Sequence, residues 1–239
     1  MTPAARGPGR ARRAALGGFA LVWVAIFLAL GVWQVERRAW KHALIAAVDA
    51  RIHAAPVAAP GPADWPAITA ERDAYRRVRA NGRFIAGRDT LVQAVTERGG
   101  GYWVLTPLDT GGFVLLVNRG FVAQDAASRI APPPAGTVGV TGLLRVTEPG
   151  GAFLRHNDPA AGRWYSRDVA AISGARGLGR AAPYFIDADR GIEGPGQPIG
   201  GLTVVRFADN HLIYALTWFA LAGLCGWAAW RALRRDAPA

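Results

Sequence analysis

The chain has 239 residues, 51% of them hydrophobic, which allows one folded domain with room for membrane segments. Its formal net charge is +11, but the arginines are interleaved with acids along the whole chain and Lys41 is the sole lysine. No basic run within the folded region marks a nucleic-acid surface, so we expect no nucleic-acid partner. The single cysteine, Cys225, excludes an intrachain disulfide and leaves the redox compartment unread.

Residues 1–13 form a basic tail carrying Arg6, Arg10, Arg12 and Arg13. Residues 14–35, "AALGGFALVWVAIFLALGVWQV", contain no charge and match the ~20 residues needed to cross a hydrocarbon core. No small-residue cleavage site follows, so this segment is expected to stay as an anchor. Residues 36–52 continue a helical pattern, and "APVAAPGPADWP" (55–66) is a Pro-rich connector. Then come short Val-, Leu- and aromatic-rich runs separated by Gly, Pro or Asp. They are "YRRVRANGRF", "DTLVQAVT", "YWVLTPL", "FVLLVNRGFV", "TVGVTGLLRV", "PYFIDAD" and "LTVVRF". "LDTGGF" (108–113) reads as a hairpin turn. "YSRDVAAISG" reads as a short helix, with Ser166 as N-cap, Asp168 in the first turn and Gly174 at the end. "GIEGPGQPIGG" (191–201) is a loop. Residues 210–230 make a second charge-free span, and residues 231–239 a tail with Arg231, Arg234 and Arg235. The expected fold is an α+β membrane protein: two transmembrane helices flank one β-rich, mostly antiparallel extracytoplasmic domain (36–209) with a few helices. Basic residues outside both spans place the two termini in the cytoplasm. The short basic N-terminal tail favours a bacterial inner membrane, multi-pass, with the main domain periplasmic.

Few catalytic constellations survive inspection. Ser128, Ser166 and Ser173 lie in no nucleophile elbow, and Lys41 follows Trp40 instead of a Gly-rich loop. "GARGLG" (174–179) lacks dinucleotide spacing and follows a helix. His42, His53, His156 and His211 show no paired metal spacing, and "DAD" (187–189) reads as a strand end. The chain is therefore not expected to be an enzyme.

The membrane boundary holds what chemistry remains. At helical spacing His211, Tyr214, Ala215, Trp218, Ala222, Cys225 and Gly226 share one side. Antiparallel spans would bring the end containing Trp33 and Gln34 to the end containing Asn210 and Tyr214. Arg37, Arg38 and Lys41 follow, and Arg206 approaches from the domain. One imidazole, several aromatics and several cations at a lipid–water boundary suit a haem. The same residues also suit an ordinary anchor with aromatic and basic flanks.

"GVWQVERRAWKHALI", "YWVLTPL", "LLVNRGFV", "FLRHNDPAAGRWYSRDVAAIS", "PYFIDA" and "PIGGLTVVRFADNHLIYALTWFALA" resemble, in order, the motifs of the surfeit-locus-protein-one family, the cytochrome c oxidase assembly factors. The resemblance runs from about residue 31 to 222 and implies a non-enzymatic assembly chaperone that binds or hands over haem a. It further implies oxidase subunit I and haem a synthase as partners, besides membrane lipid. Carried over, the family's transmembrane histidine falls on His211, the expected iron ligand and only metal-binding residue. Trp218, Trp33, Gln34, Arg37 and Arg38 lie in the matching motifs. With Arg206 and Tyr214 from the boundary reading, they complete the expected cofactor site. "NRGF" (118–121) and "RWYSRD" are expected to serve the domain's architecture. Asn210 stands where some relatives carry an acid directly before the histidine, so no second-shell carboxylate is expected there. The alternative is a membrane scaffold that steadies oxidase subunits or haem synthase without touching haem.

Overall fold

The computed structural model describes residues 8–152, 154–191, 194–203 and 209–234. Its elements are α1 (Pro8–His53), β1 (Val57–Ala58), α2 (Ala70–Asp73), β2 (Arg77–Phe84), β3 (Thr90–Thr96), β4 (Gly99–Asp109), β5 (Val114–Ala123), β6 (Thr137–Val146), α3 (Val169–Ala175), β7 (Ala181–Ala188) and α4 (His211–Arg234). They divide into two compact units. One comprises the chain up to Ala46 together with the part from Arg206 onward; the other is Ala47–Val205.

The second unit is built on a seven-stranded sheet in the order β1-β2-β6-β7-β5-β4-β3. The pairs Arg83↔Asp109 and Phe84↔Leu108 join β2 to β4, so β2, β6, β7, β5 and β4 close into a barrel-like ring. Within that ring only β5–β7 is parallel. Alternation fills the interior with Val78, Ala80, Leu108, Leu115, Val117, Val140, Leu144, Tyr184 and Ile186. The opposite face of the same strands is also covered. Leu105, Leu116 and Phe185 pack there with Val92, Trp164 and, from α3, Val169 and Ile172. Burial on both faces explains why β5 opens with four consecutive apolar residues, Val114 to Val117, instead of alternating.

Six of the seven predicted strand segments coincide with β2 to β7, and "LDTGGF" is the β4–β5 turn. The seventh, "LTVVRF", is not a strand at Leu202 and Thr203, and its remaining residues lie outside those described. The short helix is α3, but Asp168 caps it by accepting from the Ala171 amide at 3.1 Å. Ser166 does not cap; its hydroxyl accepts from Gly151 N and Asn157 Nδ2 instead. Asp168 directly precedes Val169, the first helical residue, so its carboxylate and not the Ser166 hydroxyl is placed to cap.

A charged cluster fixes the outer face of the barrel. Asp187, 3% exposed near the end of β7, accepts from Asn118 Nδ2 (2.8 Å), Arg145 Nη1 (2.9 Å), Arg167 Nη1 (3.1 Å) and Thr203 Oγ1 (3.0 Å). Glu148 bonds both arginines, so two cations meet two anions. Burial works against the Arg167 charge, yet Asp187 and Glu148 outweigh it and hold its pKa above the ordinary value. Asn118 also accepts from Gly120 N. Gly120 has φ +136°, and a Cβ there would lie 2.3 Å from the Ile199 carbonyl. Asn118 and Gly120 thus serve local architecture.

Candidate functional site

The unit containing α4 is a pair of antiparallel helices. On α4 the shielded positions include His211, Ala215, Trp218, Ala222, Cys225 and Ala229, flanked by Leu221 and Gly226; on α1 they include Gly17, Ala20, Val24, Phe27, Gly31, Gln34 and Arg38, flanked by Leu30. The central positions of both series step by three and four residues in turn, the spacing of a coiled-coil seam. Small residues let the backbones approach: Ala215, Ala222 and Ala229 are buried, and a Cβ on Gly31 would sit 2.4 Å from the Phe219 ring. Phe27 stacks on Trp218, centroids 5.7 Å apart and planes at 20°. Phe19, Leu21, Ile213, Leu216 and Trp227 are exposed on the outward faces. Both helices contain a segment long and apolar enough to cross a membrane.

At one end of this seam His211 Nδ1 meets Gln34 Oε1 at 2.7 Å. With the amide oxygen as acceptor, Nδ1 is the donor, and in the neutral imidazole Nε2 then keeps its lone pair. Among the described residues no hydrogen bond engages Nε2. Gln34 is 9% exposed, so its carbonyl faces the histidine without competition from bulk solvent. Asp209 ties the helix start to α1. Its Oδ1 accepts from His211 N at 3.1 Å, and its Oδ2 lies 2.6 Å from His42 Nε2 and 3.4 Å from Arg38 Nε. The His42 hydrogen bond, followed by the His211 amide and the charges of His42 and Arg38, holds the Asp209 carboxyl below its usual range against a smaller opposing effect of burial. Arg37 lies over the Trp40 ring at 4.0 Å. The Trp218 indole Nε1 is buried with no hydrogen-bond partner among the described residues.

The structure brings His211, Gln34, Arg38 and Trp218 onto the seam. Trp33 (53% exposed) and Tyr214 (54%) point away from it. Tyr214 therefore leaves the face that position-counting gave it, because a seam stepping from His211 to Ala215 passes it by. Arg206 lies outside the described residues. The His42–Asp209 pair went unread in the sequence. Its signal was an acid two residues before a helix start, one place earlier than the position considered. Among the described residues no group of three His, Cys, Asp or Glu side chains could cage a metal ion. One imidazole oriented by a hydrogen bond, beside a stacked indole and nearby guanidinium groups, could serve as the single protein ligand of an iron otherwise held by a macrocycle.

The family model described as the SURF1 family matches residues 21–223. Among curated relatives, Surfeit locus protein 1 of Mus musculus is 36% identical over 227 residues, covering 87% of this chain and 71% of that protein. Surfeit locus protein 1 of Xenopus tropicalis is 34% identical over 226 residues (86% and 70%), and that of Homo sapiens 34% over 244 residues (91% and 79%). With the matched region running from the first apolar helix through the barrel to Gly223 in α4, the chain belongs to the SURF1 family.

Proposed function

We propose that this protein is an assembly factor for cytochrome c oxidase, anchored in a bacterial inner membrane by α1 and α4. Both termini are cytoplasmic and the β unit is periplasmic. It binds haem a through His211 Nε2 and passes it on, with oxidase subunit I and haem a synthase as the partners that receive and supply it. The role is that of a chaperone, not an enzyme. The observation that carries the reading is the 2.7 Å contact between His211 Nδ1 and Gln34 Oε1, which orients the ring and leaves the opposite nitrogen for iron.

Haem a, when bound, supplies the iron centre, an apolar face and tail, and anionic propionates. The chain's own residues supply the matching groups. Phe27 and Trp218 offer a stacked aromatic wall, and the Trp218 indole offers a donor. Arg37 and Arg38 stand one helical turn beyond Gln34, suited to carboxylates at the boundary. The outward apolar faces of both helices support membrane insertion, since they bury nothing within the unit. A single histidine ligand suits transfer, because fixing both axial positions strongly would oppose release.

The test is the visible spectrum and haem content of the full chain purified from haem-a-producing cells, beside His211→Ala. We expect haem a with the wild type and its loss from the variant. A wild type without haem would leave the scaffold role, and equal spectra would overturn His211 as the ligand.

A further inference from the structure

Arg119 is a buried arginine of the β unit with no carboxylate within salt-bridge distance among the described residues. It follows Leu115 and Val117 on the inward face of β5, so its guanidinium lies at the mouth of the barrel. It is 9% exposed. Nη2 donates to three neutral acceptors: Ala131 O (3.1 Å), Pro132 O (3.3 Å) and Gln197 Oε1 (3.2 Å). Nη1 is buried and has no hydrogen-bond partner among the described residues. Burial pushes the guanidinium below its ordinary pKa, and Asp89 opposes this only in part.

Arg119 lines a cavity of about 500 Å³ at this mouth, whose apolar walls include Phe84, Val138, Val140 and Pro198. That volume is of small-ligand size, and barrel mouths are common ligand sites. The carboxylate of Asp189 also lines it, paired with Arg77. Arg190 lines the cavity as well, and with Asp189 already paired to Arg77 the lining suits a ligand that sets one anionic group on the buried Arg119 and an apolar body along the walls. We infer that the barrel mouth binds a small amphipathic monocarboxylate, its charge on Arg119 and its apolar body between Phe84, Val138, Val140 and Pro198. Gln197 lines the same cavity and already holds Nη2, so it is the side chain that yields as the carboxylate reaches the guanidinium. The site lies wholly within the β unit and is independent of the haem reading.

The experiment is calorimetric titration of hexanoate into the full chain in lipid nanodiscs, with hexanol, hexylamine and inorganic phosphate as matched probes and empty nanodiscs as the blank. We expect saturable hexanoate binding, with hexanol weaker by about tenfold or more, the cost of losing one charge-assisted hydrogen bond. Hexylamine and phosphate should give no saturable heat. Two variants that keep the fold test the geometry. Gln197→Glu places a carboxylate beside Arg119 within the chain, and Val138→Phe fills the cavity. Both should abolish hexanoate binding while leaving the far-UV circular dichroism and melting transition in place. Absence of wild-type binding, equal affinity for hexanol, or binding that survives both variants would each overturn the proposal.

Discussion

Replacing Gln34 by Leu tests how the histidine is held without touching the histidine itself. Leucine keeps the volume of the seam position and removes the acceptor 2.7 Å from His211 Nδ1. A hydrogen bond of this kind contributes about 1–1.5 kcal/mol net, a factor of roughly 5 to 13 in an equilibrium constant through RT. Partners that orient metal-bound histidines typically change metal affinity by about 10–100-fold. We therefore expect Gln34→Leu to weaken haem a binding by about tenfold, and His211→Ala to lose it. Gln34→Glu, which keeps an acceptor in place, should retain it. The assay is optical titration of haem a into the full chain in nanodiscs, with the α-helical circular dichroism signal confirming that the helix pair persists. Affinity for Gln34→Leu within twofold of wild type, with His211→Ala still defective, would refute the idea that Gln34 sets the tautomer.

Three further outcomes follow from the β unit. Asp187→Ala should destabilise it by about 3–5 kcal/mol in chemical denaturation of the full chain, because Arg145 and Arg167 lose a buried counter-charge. Gly120→Ala should cost about 2 kcal/mol or more by the same measure, since a side chain there meets the Ile199 carbonyl at an unfavourable φ. Acid should weaken the start of α2. Asp73, 1% exposed, accepts from Thr69 N, Arg72 and Arg76; burial raises its pKa, but these partners outweigh it and the net shift is downward. A depressed folded-state pKa means stability that is fully present above about pH 4 and is lost as pH falls through the folded value. Asp73→Asn should flatten that part of a melting-temperature profile between about pH 5 and 2.

The local elements were legible because each rests on its own residues: charge-free runs for α1 and α4, and alternating or doubly buried apolar runs for the strands. The closure of the barrel was not, because Arg83 and Phe84 reach Asp109 and Leu108 through the overall twist and not through any local pattern. The Asp187 cluster joins β5, β6, β7 and the segment before α3, and such separations leave no periodic trace. At the candidate site, Gln34, Arg38, Trp218 and His211 could be placed near one another from antiparallel counting alone. Their partners could not. Whether His211 finds an acid or an amide depends on the seam's register, and the register gives it Gln34 while Asp209 turns to His42. Tyr214 shows the same limit, since two helices in contact share a narrower strip than one helix face suggests.

The central claim is that His211 presents a nitrogen to haem iron. Electron–nuclear double resonance on the ferric haem a complex of the full chain, labelled with ¹⁵N-histidine, addresses it directly. We expect a coupling from one directly bound imidazole nitrogen that disappears in His211→Ala. A complex without that coupling, or one that keeps it after the substitution, would contradict it.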